Sequence, residues 1–358
     1  MKVKFKSNDF QRALKLCANA TEVKDTIRSN IQFEADSETN KMKLMAVNNQ
    51  YSIEVLCDCD VSEDGVAVVD GKMAYSVIAK SSSDCSITTD DKSMIIKASG
   101  RTKIPNIGTD LPVLPRTSGG SSVTFDSIAF KNAISKIAYA ISEDESRPIL
   151  TGAHIVTEGN EAVFTGLDGF KLAQTSILCN GEHIDAVVPT KILIAVCDAI
   201  DGGNLIISHN GTHITFSGDN FCVNAITLSG DYIDTARIIP TSFKTNVLVQ
   251  TDALRDCMNS ATVASGASNL VKVCVESEKL TITSNSQDAD FSGDVSAVVD
   301  GDMFTIAFNL KYFVSVMNHI DTEECELHLN SPVSPIVIIP HTENTKDMSL
   351  LLPVRVFS

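Results

Sequence analysis

The sequence predicts an α+β fold made of three similar domains, each a doubled strand–helix–strands unit. Two observations support this prediction. A helix-like segment recurs three times at a nearly constant interval, and a second helix-like segment recurs at the same interval between the first ones. Paired strand patterns with short polar turns fill the stretches between these helices.

The first helix of each domain begins at a polar residue that we expect to cap it, Ser7, Ser127 or Thr251, so the starts lie 120 and 124 residues apart. Apolar residues follow at i, i+3, i+4 and i+7, the spacing of one helix face. They are Phe10, Ala13, Leu14 and Cys17; Phe130, Ala133, Ile134 and Ile137; and Leu254, Cys257, Met258 and Ala261. The repetition of one face predicts three copies of one domain.

The second helices begin near Lys72, Lys191 and Lys311, at steps of 119 and 120 residues. Hairpin patterns with period-2 apolar residues precede and follow each of them. The turn-rich stretches at 114–122 and 237–245 mark the boundaries. We therefore predict domains at residues 1–118, 119–242 and 243–358.

The composition is that of a globular protein, with 43% of the 358 residues hydrophobic and 21% charged. No run of about 18 apolar residues predicts a membrane span, and the N-terminal stretch MKVKFKSNDF alternates like a strand. We expect a cytoplasmic protein without membrane contact. The formal net charge of −16 argues against tight adhesion to nucleic acid, which depends on clustered Lys and Arg.

Cysteine and histidine spacings do not predict a metal site. The ten cysteines include no CxxC pair, and the closest two, Cys57 and Cys59, would share one face of a strand as buried apolar side chains. His209 and His213 flank the turn at Asn210 and Gly211, and we expect both to be exposed turn residues.

Catalytic motifs are also missing from the sequence: there is no GxSxG, P-loop, HExxH or GxGxxG pattern, and acidic residues are dispersed in hairpin turns. We predict a binding or scaffold protein that is not an enzyme and uses no metal or cofactor. The alternative is an enzyme of nucleic-acid or sugar metabolism on a tandem-repeat scaffold, and the equal three-domain period without catalytic motifs argues against it.

The stretch GLDGFKLAQ, residues 166–174, predicts a strand and an Asp-Gly turn, followed by an apolar and basic run. The turn either only reverses the chain or also receives a ligand, and the pattern alone leaves both interpretations open.

Four motifs resemble the beta subunit of bacterial DNA polymerase III, the sliding-clamp family: SRPILTG at 146–152, LDGFKLA at 167–173, GDYIDTARIIP at 230–240 and LLLPVRV at 350–356. The resemblance spans the full chain, and the motifs follow the family's order and spacing. It implies a DNA polymerase processivity factor: a head-to-tail homodimer closed into a ring around duplex DNA without sequence specificity. Each chain would form half of the ring, with helices inside and sheets outside, associated with the nucleoid in a bacterial-type cytoplasm.

The resemblance also implies an apolar groove for short peptide motifs of the clamp loader and of replicative and repair polymerases. Residues matching this groove are Leu150, Leu167, Gly169, Phe170, Lys171, Leu172, Ile233, Arg237, Ile238, Leu350, Leu351, Leu352, Pro353, Val354 and Arg355. The chain departs from the family at Phe170–Lys171, where His-Arg is usual, at Leu167, where Thr is usual, and at Ile233, where Pro is usual. We therefore expect the groove to keep its place but to differ in its preference among partner motifs.

A ring holds DNA by topology, so a few inward cations suffice despite the net negative charge. The candidates on the helices are Arg12, Lys15, Lys72, Lys131, Lys136, Lys191, Arg255 and Lys311, with a solvated helix face as the alternative for each. For closure of the ring, the resemblance implies pairing of edge strands between the first and third domains. Ile104 and Ile107, in the stretch from Arg101, are the apolar candidates on one edge, and the stretch 267–273 would be part of the other.

Overall fold

A computed structural model describes residues 1–22, 25, 27–81, 84–343 and 345–355. Its elements follow the sequence periodicity closely. The first repeat contains β1 (Lys2–Lys6), α1 (Ser7–Asn19), β2 (Asn30–Asp36), β3 (Lys41–Val47), β4 (Tyr51–Asp58), β5 (Asp60–Glu63), β6 (Gly65–Asp70), α2 (Gly71–Ala79), β7 (Asp84–Thr89), β8 (Ser93–Lys97) and β9 (Arg101–Pro105).

The second repeat has the same succession of elements, and the third differs in having one long strand, Asp290–Gly301, where the other two repeats have two shorter ones. The second contains β10 (Ser121–Asp126), α3 (Ser127–Ala138), β11 (Gly152–Glu158), β12 (Glu161–Leu167), β13 (Lys171–Leu178), β14 (Asn180–Gly181), β15 (Asp185–Pro189), α4 (Thr190–Ala199), β16 (Asn204–His209), β17 (His213–Ser217) and β18 (Phe221–Ile226), with short 3₁₀ turns at Pro148–Thr151 and Thr235–Arg237. The third contains β19 (Thr245–Gln250), α5 (Thr251–Ala261), β20 (Leu270–Val275), β21 (Lys279–Asn285), β22 (Asp290–Gly301), β23 (Thr305–Asn309), α6 (Leu310–Met317), β24 (Glu324–Leu329), β25 (Ile336–Pro340) and β26 (Met348–Leu351), with 3₁₀ turns at Thr262–Ala264 and Gly266–Ser268.

The first helices bury the faces that their spacing predicts. Of the twelve apolar residues at those positions, all are buried except Cys257, which is partly buried against the same core. Ser7, Ser127 and Thr251, however, are the first residues within their helices and not caps before them. The hydroxyl of Ser7 donates to the carbonyl oxygen of Ile78 at 2.8 Å, so in the first repeat this side chain ties helix α1 to helix α2. The capping prediction is therefore wrong, because the hydroxyls face the interior.

Contacts divide the chain into two compact units. The first comprises Met1–Lys131, Val156–Glu161 and Leu178–Ser229, and the second comprises Asn132–Ile155, Ala162–Ile177 and the described residues from Gly230 onward. The first unit holds the sheet β5-β1-β7-β8-β9 and the sheet β14-β10-β16-β17-β18-β4-β3-β2-β6. The second contains the strand order β11-β12-β13-β26-β25-β24-β19-β22-β21-β20-β23.

Each unit contains one joint at which the last strand of a repeat extends the sheet of the repeat before it. In the first unit, β18 pairs antiparallel with β4, and Val223 lies opposite Ile53. In the second, β26 pairs antiparallel with β13, and Ser349 lies opposite Ala173. Antiparallel pairing of this kind makes one continuous sheet from two repeats.

Two predictions about single side chains are wrong. His209 lies within β16 and is buried, and His213 begins β17 and is partly buried, because the turn is confined to residues between β16 and β17. Burial lowers the pKa of His209 because it disfavours the charged imidazolium. Cys59 lies between β4 and β5 and is only partly buried, so Cys57 and Cys59 do not share a strand face.

The described residues include no group of three or more side chains that could hold a metal ion. Within the same residues, no helix is long and apolar enough to cross a membrane.

Candidate functional site

The turn between β12 and β13 is fixed by Asp168. Its Oδ1 accepts hydrogen bonds from the backbone N–H groups of Phe170 and Lys171, both at 2.8 Å, and Gly169 adopts a φ of +92°, a conformation that glycine reaches without strain. The ammonium group of Lys171 pairs with the same carboxylate in a largely buried position. The turn is therefore a rigid feature of the second unit.

Phe170 projects from this turn and is 56% exposed. Its ring stacks on that of Tyr312 with centroids 5.6 Å apart, and the Nζ atom of Lys171 lies 5.0 Å from the centre of the Tyr312 ring. Tyr312 was not among the residues expected at the site. Its position beside Lys311 in the second helix of the third repeat is the only signal that the sequence offers for it.

The chain after β26 lies against the same turn. The N–H of Leu352 donates to the carbonyl oxygen of Phe170 at 2.9 Å, while Lys171 and Leu172 pair with Leu351 and Leu350 across the joint. The structure thus brings the stretch LDGFKLA together with the last strand, as the family resemblance implies. Val356, the last residue of LLLPVRV, lies outside the described residues.

Beneath the turn lies a buried apolar cluster formed by Leu150, Leu167, Leu172, Val337 and Leu350. Partly buried side chains pack against it, including Ile149, Tyr232, Ile239 and Phe243. Leu150, Leu167, Leu172, Leu350 and Leu351 are each less than 5% exposed, so they form the support of a surface and not its ligand-facing wall. The expectation that Leu172 contacts a bound peptide directly is corrected by this burial.

The predicted apolar side chains that do reach the surface of the second unit are Phe170, Ile233, Ile238, Leu352 and Val354. We call these five the exposed rim. Pro353 is partly buried, and Arg355 is exposed. Apolar residues of this size at a surface, backed by a rigid cluster, are typical of a peptide-docking surface.

Charged and polar groups border the exposed rim. Arg237 is 83% exposed at the side chain and pairs with Asp234 at 2.9 Å, at the end of a 3₁₀ turn. The hydroxyl of Tyr232 donates to the carbonyl oxygen of Thr165 at 3.5 Å, and burial raises the pKa of this phenol, which keeps it protonated as a donor. Arg237 therefore presents an exposed guanidinium group next to Ile238 of the exposed rim.

Three of the eight predicted DNA-facing cations are engaged within their own unit. Arg12 donates to the carbonyl oxygens of Asp198, Ala199 and Ile200 at 2.9–3.2 Å and pairs with Asp201 at 3.0 Å, which caps the end of α4. Such a guanidinium complements the negative end of a helix dipole. Its first role is therefore structural.

Arg255 holds the end of α6 in the same way. It donates to the carbonyl oxygens of Met317 at 3.0 Å and Ile320 at 2.6 Å and also pairs with Asp252. Lys136 pairs with Asp347 at 2.5 Å. The other five predicted cations are exposed, with no ion pair among the described residues: Lys15, Lys72, Lys131, Lys191 and Lys311.

The two residues expected at the dimer interface differ in burial. Ile104 is 1% exposed and belongs to the core of its own sheet, because it points to the inner face of β9. It is therefore corrected to a core residue, whereas Ile107 is exposed. The expected third-repeat edge is also corrected, because β20 pairs with β21 on one side and β23 on the other and has no free edge.

Comparison with known protein families identifies the chain. Residues 124–234 match the model of the DNA polymerase III beta subunit, central domain, and residues 236–355 match that of its C-terminal domain, together more than half of the sequence. The chain belongs to the DNA polymerase III beta subunit family. The processivity factor predicted from the sequence is thereby confirmed, and the alternative of a metabolic enzyme has no support.

Individual relatives agree with this family. The beta sliding clamp of Streptococcus pneumoniae strain R6 is 27% identical over 371 aligned positions, which cover 97% of each chain. The fold matches the crystal structure of the beta subunit from Streptococcus pyogenes at a TM-score of 0.92 and 24% identity, covering 99% of this chain and 100% of that one. It matches the Pseudomonas aeruginosa beta subunit at a TM-score of 0.93 and 17% identity, with the same coverage. The α+β fold of the clamp family is thus confirmed.

Proposed function

We propose that two copies of this chain close head to tail into a ring that encircles duplex DNA and slides on it without sequence specificity. Each chain contributes three domains, at residues 1–118, 119–242 and 243–358, with helices facing the DNA and sheets outside. The ring tethers polymerases in a bacterial-type, nucleoid-associated cytoplasm and catalyses no reaction of its own. The observation that carries the proposal is the repeated register of the joints within the chain.

In both joints, an equivalent row of residues lies opposite one another on successive strands of the sheet, and we call such a row a rung. Each rung begins at the residue four positions before the first helix of a repeat and ends at a residue of the preceding repeat. The rungs are Val123–Ile207–Phe216–Val223–Ile53 in the first unit and Val247–Leu327–Ile338–Ser349–Ala173 in the second. Ile53 and Ala173 each lie five residues after a turn side chain, Asn48 or Asp168, that accepts two backbone N–H groups.

The corresponding rung of the first repeat lacks its last member. It runs Val3–Ile87–Ile96–Thr102 and stops at β9, which is the edge of its sheet. The matching position of the third repeat is Phe291 in β22, five residues after Ser286, whose Oγ accepts from the N–H groups of Asp288 and Ala289. Pairing of β9 with β22 of a second copy would complete the rung twice per dimer.

Charge supports this pairing. With Thr102 opposite Phe291, Lys103 lies opposite Asp290 and Arg101 opposite Ser292, which is flanked by Asp290 and Asp294. All of these charged side chains are exposed in the single chain. Opposite charges on facing strands stabilise a pair and also disfavour self-pairing of either edge. Ile107, exposed just after β9, is proposed to pack at the same interface.

Partner proteins, including the clamp loader and replicative and repair polymerases, are proposed to dock through the exposed rim over its buried leucine support. Phe170 and Tyr312 would give the rim an aromatic face, and Arg237 would receive the polar end of a bound peptide motif. The five exposed lysines are proposed to face DNA. Their contacts are few, which suits sliding.

Topological retention tests the ring. The protein is loaded on nicked circular DNA by a clamp loader and passed through a sizing column at physiological salt. We expect it to elute with the circle and to be released when the circle is cut by a restriction enzyme. Retention on the linear product as well would contradict the ring, because an end lets a ring slide off.

A further inference from the structure

The sheet formed by β5, β1, β7, β8 and β9 carries an exposed run of lysines on one face. Along β1, Val3 and Phe5 are buried, so Lys2, Lys4 and Lys6 project from the opposite face and are exposed. Alternate residues of a strand are about 6.8 Å apart, which sets the spacing of these three positions. In a chain of net charge −16, such a run reverses the charge locally.

The pairing register adds a fourth lysine to this face. Ser86 of β7 lies opposite Lys4 of β1 on one side and opposite Lys97 of β8 on the other. Lys97 is exposed, and none of the four lysines has an ion pair among the described residues. We call Lys2, Lys4, Lys6 and Lys97 the basic face.

A groove lies over β7, between the lysines of β1 and β8. Paired strands are about 4.8 Å apart, so β1 and β8 are about 10 Å apart with β7 between them. The side chain of Ser86 is short, whereas those of Lys4 and Lys97 on either side are long. The depression is a cavity of about 550 Å³, and its lining residues include Lys4, Lys6, Lys97, Asp60, Asp84 and Ser86. Its volume is within the range of ligand sites, roughly 300–1,000 Å³.

The other two repeats show that the fold does not require this charge. Counted back from the first helix, the positions of the three lysines of β1 hold Ser122, Thr124 and Asp126 in the second repeat and Asn246, Leu248 and Gln250 in the third. Followed along the paired strands, the position of Lys97 holds Ser217 and Ile339. The same sheet therefore forms without any of the four lysines, which leaves binding of an anion as their use.

Acidic residues in the cavity distinguish between classes of anion. Asp60 lies opposite Lys4, and Asp84 lies opposite Lys6. A nucleic-acid strand is charged at every unit, so it would bring phosphates against these carboxylates, whereas a polypeptide can place neutral side chains there. The described residues of this face also include no aromatic side chain on which a base could stack. Both observations favour an acidic polypeptide.

The spacing of the lysines favours an extended conformation of that polypeptide. Alternate residues of an extended segment are about 6.8 Å apart, as are the lysines of β1. A segment lying over β7 would direct every second side chain into the groove. The net negative charge of the chain does not prevent this, because salt screens charges beyond about 8 Å at physiological ionic strength.

We propose that the basic face binds an extended segment of a partner protein in which acidic residues alternate with neutral ones. The segment lies over β7, its carboxylates pair with Lys2, Lys4 and Lys97, and a neutral residue lies beside Asp84. The lysines that bind it belong to β1 and β8. The site therefore uses no residue of the exposed rim and does not depend on ring closure.

Two fluorescent synthetic peptides of equal charge serve as probes. In the first, four Glu alternate with four Ser; in the second, four Glu precede four Ser. Fluorescence anisotropy with the full-length protein at about 0.1 M salt should give saturable binding of the alternating peptide. The block peptide should bind at least threefold more weakly, because its carboxylates do not match the spacing of the lysines.

Charge reversals locate the site. Lys4→Glu and Lys97→Glu should each weaken binding of the alternating peptide at least fivefold, because each replaces an attraction by a repulsion. Lys244→Glu makes the same change of charge at an exposed lysine of the second unit and should leave affinity within twofold of wild type. All three substitutions are at exposed positions, so melting temperatures should agree, which separates loss of binding from loss of fold.

Four results would overturn the proposal. The first is equal affinity of the alternating peptide for wild type, Lys4→Glu and Lys97→Glu. The second is equal affinity of the two peptides, which would leave charge alone as the determinant. The third is a fivefold loss with Phe170→Ala, which would assign the peptide to the exposed rim. The fourth is tighter binding of a short DNA duplex or single strand that is lost in Lys4→Glu, which would make the basic face a nucleic-acid surface.

Discussion

Reversing the charge of Lys103 should weaken the proposed dimer. The proposed register places Lys103 of one chain opposite Asp290 of the partner subunit, and the proposed ring would contain this pair twice. In the single chain, both side chains are exposed, and neither has an ion pair among the described residues. Lys103→Asp therefore replaces an attraction by a repulsion at each interface without removing a contact within the chain.

The size of the effect follows from facing charges on paired strands. An opposite-charge pair contributes roughly 0.2–1 kcal/mol, and like charges cost a similar amount. Reversal thus changes each interface by about 0.4–2 kcal/mol and the closed dimer by about 1–4 kcal/mol. Since about 1.4 kcal/mol is a factor of ten, the dissociation constant should rise roughly 5- to 700-fold. Salt should reduce the difference, because these charges lie near solvent.

Sedimentation equilibrium over a concentration series measures this constant. Lys103→Asp combined with Asp290→Lys in one chain restores the facing charges in inverted order and should recover most of the lost affinity. Lys4→Asp, an exposed lysine on β1 away from the open edge, is the matched control and should leave the constant unchanged. If the double reversal is as weak as the sum of the two single variants, the register is refuted.

Three further predictions concern single side chains. Phe170→Asp should weaken a polymerase-derived peptide at least tenfold with unchanged melting, whereas Leu172→Asp should lower the melting temperature, because it buries an unpaired charge. Arg12→Ala should lower the melting temperature because α4 loses its cap, while Lys15→Ala should weaken DNA contacts only, measured by calorimetry and by retention on circular DNA. The pKa of His209 is lowered by burial, so its contribution to stability is present above about pH 6.5 and is lost as the pH falls below it. In thermal melts, His209→Asn should therefore show a smaller fall between pH 7.5 and pH 5, and equal falls would contradict this assignment.

The fold could be predicted because the helical spacing and the period-2 alternation of strands are both visible in short stretches of sequence. The buried face of α1, formed by Phe10, Ala13, Leu14 and Cys17, follows from the helical spacing, and the hairpins follow from their turn residues. What the sequence did not reveal depends on long-range packing. Ser7 is of a residue type that often caps helices, but α2 packs close enough for the Ser7 hydroxyl to donate to one of its carbonyl oxygens instead.

The site shows the same division. The motif LDGFKLA identifies the turn, yet whether a leucine in it supports or contacts a ligand depends on the strand that covers it. Leu172 is covered by the pairing of β13 with β26, while Phe170 is raised above it by the turn. The partner of Phe170, Tyr312, lies 142 residues away in sequence and is brought there only by the fold.

The net negative charge is compatible with the proposed sliding on DNA, as the contacts of the individual helix cations show. A chain of net charge −16 that bound DNA by adhesion would need a dense basic surface, because such affinity comes from counterions released at phosphates. Here two of the eight helix cations, Arg12 and Arg255, are used to cap helices, and Lys136 is held by an acidic partner. The five that remain exposed can give only weak contacts. A protein that is held on DNA by adhesion needs strong phosphate contacts. A closed ring would be retained by topology instead, and weak contacts would suit it because each strong phosphate contact would slow its sliding.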